Sequence, residues 1–356
     1  MICGINIYRL KIPLRTRFDL SFGSVSFFDT FVVSMVDNDK NVYYGECTSL
    51  PGYSNETPEN IWNYLKTKSP QIIGNEFIEA IKYFDNDVRD IPFSATPLLS
   101  CLEKSSPTNQ LYNIPISGVI NRDDVTSLET EINSLILSGV KTIKIKVGRN
   151  LKKDIEKIQI LSNHISSNVR IRIDANRGYT FDDAKYFVTR IPLDKVEHIE
   201  EPLRKTDFHL YPTLKTISKV PLMLDESIFD ITDIQMAHDN AYCDIIKFKL
   251  FKHGSPERTE TLIRNTLNMG VGVILGNGIQ SEIGCILEAR IYNNLKLNNA
   301  AEFNGFLKPC FTILDKPIIS LKEGCMMFKD VDLKLGGSFK DAIRDHFSFG
   351  KISCEF

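Results

Sequence analysis

No run of about 18 consecutive apolar residues occurs in this 356-residue chain, which excludes a helix that spans a membrane. The opening MICGINIYRLKIPL lacks an uninterrupted apolar core and a small-residue cleavage site, so it does not read as a secretory leader. Neither charge sign dominates. The 43 Lys and Arg against 45 Asp and Glu give a formal net charge of −2, with no long basic block. That argues against nucleic acid or an anionic membrane surface as the main partner. The eight cysteines form no CxxC pair, and they read as free, mostly buried thiols of a reducing cytoplasm. The six histidines are scattered and make no HExxH, so a metal bound here would be held by oxygen.

What is present is a chain of two textures. Residues 1–112 read as an α+β capping domain. Met1–Leu14 and Thr30–Asp37 are strand-like, Gly45–Thr57 is a loop dense in Gly, Pro, Ser and Asn, and helical periodicity follows at Ile61–Lys66 and Phe77–Phe84. Residues 113–324 alternate strand and helix. Strand candidates are Ile114–Ile120, Thr142–Val147, Ile171–Ala175, His198–Glu201, Leu222–Asp225, Ile245–Leu250, Gly272–Leu275 and Ala300–Phe303. Eight strands at a near-constant period predict an α/β fold, a (β/α)8-type, TIM-like barrel. In the first intervening helix, Leu128, Ile132, Leu135 and Ile136 form one apolar stripe, and Gly139 ends it. Residues 325–356, where GGSF and DHFSFG read as loop and edge, are expected to pack back on the cap.

Five residues carry the chemistry. Lys146, Asp174, Glu200, Asp225 and Lys249 follow one another at spacings of 28, 26, 25 and 24 residues, each near the end of an apolar run. One strand–helix unit of a barrel takes roughly 31 residues, so the five side chains should ring one mouth. Three neighbouring carboxylates repel one another unless a hard cation such as Mg²⁺, or Mn²⁺ in its place, lies between them. Singly, a carboxylate after a strand is more often a helix N-cap, and three on consecutive strands change that. Period-2 alternation allows only one of Glu200 and Glu201 to face inward. Asn176 and Glu226 are expected behind the metal ligands and lysines.

In TIKIKV, Lys144 and Lys146 share the inward face. Such lysines are either salt-bridged or used, and each should depress the pKa of the other, moving one toward general-base competence. Lys249 ends the sixth strand with Lys247 one layer deeper, and either catalysis or pairing with Asp225 or Glu200 would account for it. Lys252 is expected in the following loop, solvated. His198 is expected as a satisfied core histidine, and His253 has an open choice between loop and mouth.

At these residues the chain resembles the enolase superfamily, and within it the muconate lactonizing enzyme subgroup. The motifs are KIKVG, DAN, IEEP, LDES and KLFKHG, with Lys144 and Lys146, Asp174, Glu200, Asp225 and Lys249. The subgroup includes dipeptide epimerases, N-acylamino acid racemases and o-succinylbenzoate synthases. The resemblance implies a carboxylate substrate held by Mg²⁺ on Asp174, Glu200 and Asp225. One lysine would remove the α-proton, and Lys144 would help stabilise the enediolate. Lys-plus-Mg²⁺ for enolase-type sites is a known pattern, not a derivation from this chain. Arg15–Ser24 and Gly45–Thr57 resemble the two substrate-capping loops, which assigns substrate contacts to Phe18, Phe22 and Tyr53.

Departures from the pattern bear on the substrate. Dipeptide epimerases often carry Asp-x-Asp at the end of strand eight for an ammonium group, and here the chain reads Glu302-Phe303-Asn304. Lys247 stands where relatives often have Asn, which favours a more anionic substrate or simply neutralises Asp225. Strand seven ends in GNGIQSE, where Gly276 and Gly278 would let backbone approach a substrate beside Asn277. The expected activity is racemisation or epimerisation of an amino-acid derivative or dipeptide, with dehydration or cycloisomerisation of the o-succinylbenzoate synthase kind second. A Schiff-base aldolase on Lys249 and a non-catalytic barrel are remoter alternatives. The expected partner is a small carboxylate in the cytoplasm, with no nucleic acid and no membrane, and a homo-oligomer is compatible with the chain.

Overall fold

The structure is a computed structural model that describes residues 1–20, 23–50, 54–84, 86–103, 107–120 and 125–350. Phe22 and Tyr53 lie outside the described residues. The chain opens with a long antiparallel hairpin, β1 (Ile2–Leu20) and β2 (Gly23–Asp37), continued by β3 (Val42–Thr48). The first capping segment is therefore the extended tip of this hairpin, paired as far out as Leu20 with Gly23. Ile5, Ile7, Leu10, Ile12, Phe31 and Val33 are fully buried within this sheet's packing. The helix Pro92–Leu102 is buried along its whole length against β2 and β3. Its first turn is capped from a distance by Glu56, which accepts hydrogen bonds from the Phe93 and Ser94 amides at 3.0 and 2.7 Å.

The next expected strand, Ile114–Ile120, divides in two. Leu111–Pro115 (β4) joins a small antiparallel sheet, and Gly118–Ile120 (β5) opens the parallel one. The parallel sheet continues through β6 (Thr142–Lys146), β7 (Arg170–Asp174), β8 (Val196–Glu200), β9 (Leu222–Leu224), β10 (Ile245–Phe248) and β11 (Gly272–Leu275), neighbours in that order. Helices connect the strands, and the whole is a TIM-like α/β fold. The eighth expected strand is reduced to a parallel bridge between Ala301 and Ile116. Around it, the Ala301 amide donates to Pro115 O at 2.8 Å and the Glu302 amide to Leu275 O at 3.0 Å. At the neighbouring Gly276 φ is +140°, and a Cβ there would sit 2.5 Å from the Phe303 nitrogen, so this glycine lets backbone pack against backbone.

In the helix Val125–Leu137, Leu128 and Ile132 are fully buried, but Ile136 is exposed and falls off the expected stripe. Near the end of the chain, β12 (Ser320–Lys322) and β13 (Cys325–Lys329) pair with each other, and β13 pairs with β4. Gly337–Ala342, expected as loop, is helical, and β14 (Ile343–Gly350) runs antiparallel to β1. No helix among the described residues is long and apolar enough to cross a membrane.

Candidate active site

Strands β6, β7 and β8 end on Lys146, Asp174 and Glu200, while Asp225 and Lys249 stand one residue past β9 and β10. The register places Lys146 opposite Asp174 and Asp174 opposite Glu200. All five are brought to the same end of the sheet.

Two buried ammonium groups tie the carboxylates together. Lys144 Nζ lies 3.0 Å from Asp174 and 3.1 Å from Glu302, and also contacts Glu200. Lys247 Nζ lies 3.1 Å from Glu200, 2.5 Å from Glu302 and 3.9 Å from Asp225. Lys247 therefore serves mainly Glu200 and Glu302, not Asp225 as its sequence position suggested. Arg172, fully buried two residues before Asp174, holds the other Glu302 oxygen at 3.2 Å. Three cations thus compensate the Glu302 charge, Lys144 and Lys247 on one oxygen and Arg172 on the other.

Asp225 is compensated separately. Lys249 Nζ lies 2.5 Å from one of its oxygens, and Lys252 Nζ lies 3.3 Å from the other while also donating to the Asp225 carbonyl. Lys252 was expected in solvent. It is buried in a short helix, Leu250–His253, that turns it under the strand end. The same turn buries His253 and directs its Nδ1 to the Phe229 carbonyl at 3.2 Å, away from the mouth.

Electrostatics separates the two lysines of TIKIKV. Burial and the neighbouring Lys144 push the Lys146 ammonium down to about 8, against the pull of Asp174. Lys144 moves the opposite way. Burial disfavours its charge, but Asp174, Glu200 and Glu302 outweigh burial and hold it well above the ordinary lysine range. The expected mutual depression therefore falls on Lys146 alone, because only Lys144 has carboxylates on three sides.

Glu200 faces inward and Glu201 outward, and the structure shows how the chain turns between them. Glu201 has a φ of +40° and is fully buried. Its carboxylate accepts from the Asp225 amide at 3.0 Å and the Ser227 amide at 2.8 Å, with Ser227 Oγ, Tyr211 and Arg177 also donating. Asn176 and Arg177 share the left-handed conformation, so three non-glycine residues at two neighbouring strand ends are held in sparsely populated geometry. Asn176 Nδ2 donates to Glu226 at 3.0 Å. Alternation shows only that one glutamate of IEEP faces inward; the stapling role of Glu201 needs the three-dimensional neighbours.

A cavity of about 690 Å³, open mouth included, lies over these strand ends. Lys144, Lys146, Asp174, Asn176, Asp225, Glu226, Lys247, Lys249, Asn277, Glu302, Asn304 and Phe18 line it, so twelve expected site residues meet there. Glu200 lies among them, fully buried and bonded to both Lys144 and Lys247. The Asn277 side chain is committed to its own loop through Ile279, and Asn304 Nδ2 donates to the Ser117 carbonyl at 3.0 Å. Lys308, which sequence reasoning missed, also lines the cavity. It lies in no motif and reaches the mouth only because its chain segment is pinned to β1, where the Arg15 amide donates to the Lys308 carbonyl at 2.9 Å.

Two oxygen-rich groupings could hold a cation. His198, Glu200 and Glu302 offer ligand atoms within 4.8 Å of one another, all buried. Lys144 and Lys247 already bridge those two carboxylates, so this grouping is occupied by positive charge. His198 itself is a core histidine, but its ring nitrogens have no hydrogen-bond partner among the described residues, so it is not a satisfied one. Asp174, Glu200 and Asp225 are the other candidate donor set, also in contact with lysines. They are carboxylates on three adjacent strand ends, and burial and Asp174 push Glu200 up from its ordinary range. A divalent cation between them relieves that repulsion, and hard oxygen ligands suit Mg²⁺ or Mn²⁺.

A family model described as enolase C-terminal domain-like matches residues 127–331. The chain belongs to this family. Among relatives of this enolase-family protein, an N-succinyl-L-Arg/Lys racemase of Bacillus cereus is 24% identical over 344 residues, covering 90% of this chain and 93% of the relative. An o-succinylbenzoate synthase of Enterococcus faecalis is 24% identical over 347 residues, covering 91% and 92%. The crystal structure of a dipeptide epimerase from Cytophaga hutchinsonii, complexed with Mg and the dipeptide D-Ala-L-Val, superposes with a TM-score of 0.88 at 17% identity, covering 98% of this chain and 100% of that one. The fold likeness covers cap and barrel together, and the resemblance read from the five motifs is met.

Proposed function

We propose that this protein is a Mg²⁺-dependent racemase or epimerase that acts at the α-carbon of an amino-acid derivative carrying a free carboxylate. The observation that carries the reading is the placement of Lys146 and Lys249. They line one cavity from β6 and β10, with the strand ends bearing Asp174, Glu200 and Asp225 between them. Two amines on opposite sides of a bound α-carbon allow one to take a proton and the other to return one to the far face.

Mg²⁺, held by Asp174, Glu200 and Asp225, would bind the substrate carboxylate and acidify the α C–H. Lys146 has the electrostatic profile of a base, since its lowered pKa leaves a useful fraction of neutral amine near pH 8. Lys249, whose ammonium contacts Asp225, is placed to donate the proton on the far face in this direction and to take it in the reverse one. Lys144, held charged by three carboxylates, is a fixed positive charge near the developing anion.

The relatives of this chain include racemases, epimerases and an o-succinylbenzoate synthase, so dehydration is the second reading. The three cations that already compensate Glu302 favour substrates without a free ammonium group, which fits an acylated amino acid better than a dipeptide. The test is incubation with N-acylamino acids and dipeptides in D₂O with Mg²⁺, read by mass spectrometry and chiral chromatography. Deuterium in both enantiomers supports racemisation. An unsaturated product without exchange of configuration replaces it with dehydration.

A further inference from the structure

Lys308 differs from five other cations at the site. Lys144, Lys247, Lys249, Lys252 and Arg172 each touch at least one carboxylate. Lys308 has no ion-pair partner among the described residues. Its ammonium donates to Asn304 Oδ1 at 2.9 Å and to the Gly278 carbonyl, two neutral acceptors. A lysine has three N–H donors, so one remains. The ammonium lies 4.6 Å from the centre of the Phe18 ring, and Lys146 approaches the same ring at 5.2 Å. The hairpin tip thus places an aromatic face between two cavity ammonium groups.

The backbone fixes this arrangement. Leu14 bridges Pro309, the Cys310 amide donates to the Pro13 carbonyl at 2.9 Å, and Arg15 Nε donates to the Pro309 carbonyl at 2.9 Å. Gly278 is matched to it, since a Cβ there would lie 3.0 Å from Lys308 Nζ. A half-buried ammonium held rigidly, facing a cavity and lacking a counter-ion is costly unless something anionic joins it. Consistently, burial and Lys146 pull Lys308 down to about 7.

We infer that Lys308 is a specificity-determining residue that binds a second anionic group of the substrate, remote from the carboxylate at Asp174, Glu200 and Asp225. This rests on the proposed reaction for the identity of the first carboxylate. The ligand class is a dianion, an amino-acid derivative with one extra carboxylate on its acyl arm or its side chain. A charge-assisted hydrogen bond to such an ammonium discriminates by about tenfold to a hundredfold.

The test is calorimetric titration of the Mg²⁺-loaded protein with two dianions, N-succinylglycine and N-acetyl-L-glutamate, and two monoanions, N-acetylglycine and N-acetyl-L-glutamine. At least one dianion should bind tenfold or more tightly than its monoanionic counterpart. Lys308→Gln, which keeps a donor for the Gly278 carbonyl, should erase that gap while leaving monoanion binding within about threefold. Lys308→Arg should keep the gap and holds the test open if the Gln variant does not fold. Equal binding of dianions and monoanions, no binding of any of the four, or a gap that survives Lys308→Gln, overturns the inference. Exchange of the α-protons of these four compounds into D₂O is measured in parallel. A Lys308-dependent gap without exchange would refute the proposed reaction and leave the recognition role standing.

Discussion

Glu201 is the residue whose removal the structure makes most informative, because it touches no cavity atom yet fixes the backbone of Asp225. In Glu201→Ala the amides of Asp225 and Ser227 lose their acceptor inside the protein, as do Ser227 Oγ and the Tyr211 hydroxyl. Each buried donor left without a partner costs about 1–3 kcal/mol, and partial relaxation brings the sum to about 3–5 kcal/mol. For a chain of this size that is a fall in Tm of roughly 4–7 °C. The stapled segment carries the Asp225 carboxylate, so Mg²⁺ affinity should fall about tenfold to a hundredfold, as for other groups that orient metal ligands. Glu201→Gln keeps one acceptor and should show about half the loss in stability. The assays are urea denaturation followed by circular dichroism and calorimetric titration with Mg²⁺. A Glu201→Ala variant with stability within 0.5 kcal/mol and metal affinity within twofold of the parent would refute the staple.

Other expectations follow from the same geometry. Lys146→Ala and Lys249→Ala should each abolish racemisation, by about 10²–10⁴-fold, while each still exchanges the α-proton of one enantiomer, read by NMR with separated enantiomers in D₂O. EDTA should abolish exchange and Mg²⁺ or Mn²⁺ restore it, with cysteine-seeking metals ineffective. Glu46 accepts from the Ser281 and Gly284 amides at 2.7 and 2.9 Å, joining β3 to the helix Glu282–Asn294, so Glu46→Ala should cost about 2–4 kcal/mol in the same urea assay. The preference for dianions should depend on pH with a definite sign. Lys308 faces Lys146, Cys285, Asn304 and the Phe18 ring, and burial holds it at about 7. Its protonated form binds the anion, so the preference is greatest below pH 7 and narrows as pH rises above it, measured by titration at pH 6 and pH 9.

Much of the site is legible in the chain because its signals are local. A charged residue that ends an apolar run is visible in one dimension, and five of them at one barrel period place one another. Lys252, Arg172, Glu201 and Lys308 were not legible in the same way. Lys252 follows a strand by only four residues from Phe248, and nothing local says that the next turn is a helix that folds it inward. Glu201 depends on a left-handed backbone angle that alternation cannot anticipate. Lys308 is placed by β1, almost 300 residues away in the chain. In the fold, the missed eighth strand and the split of Ile114–Ile120 have one cause. The barrel closes there through a bridge at Ala301 and Ile116, while β4 is drawn off to pair with β13. A period-2 pattern records that a segment is extended, not which sheet takes it.

The most direct test of the account is the α-proton itself. A single enantiomer of N-succinylated or N-acetylated amino acids, incubated in D₂O with the Mg²⁺-loaded protein, should gain one deuteron and appear in both configurations. The gain should vanish with EDTA, and in Lys146→Ala it should remain for one enantiomer only. Retention of the α-proton in every N-acylamino acid and dipeptide tried, with Mg²⁺ bound and the protein folded, would contradict the account.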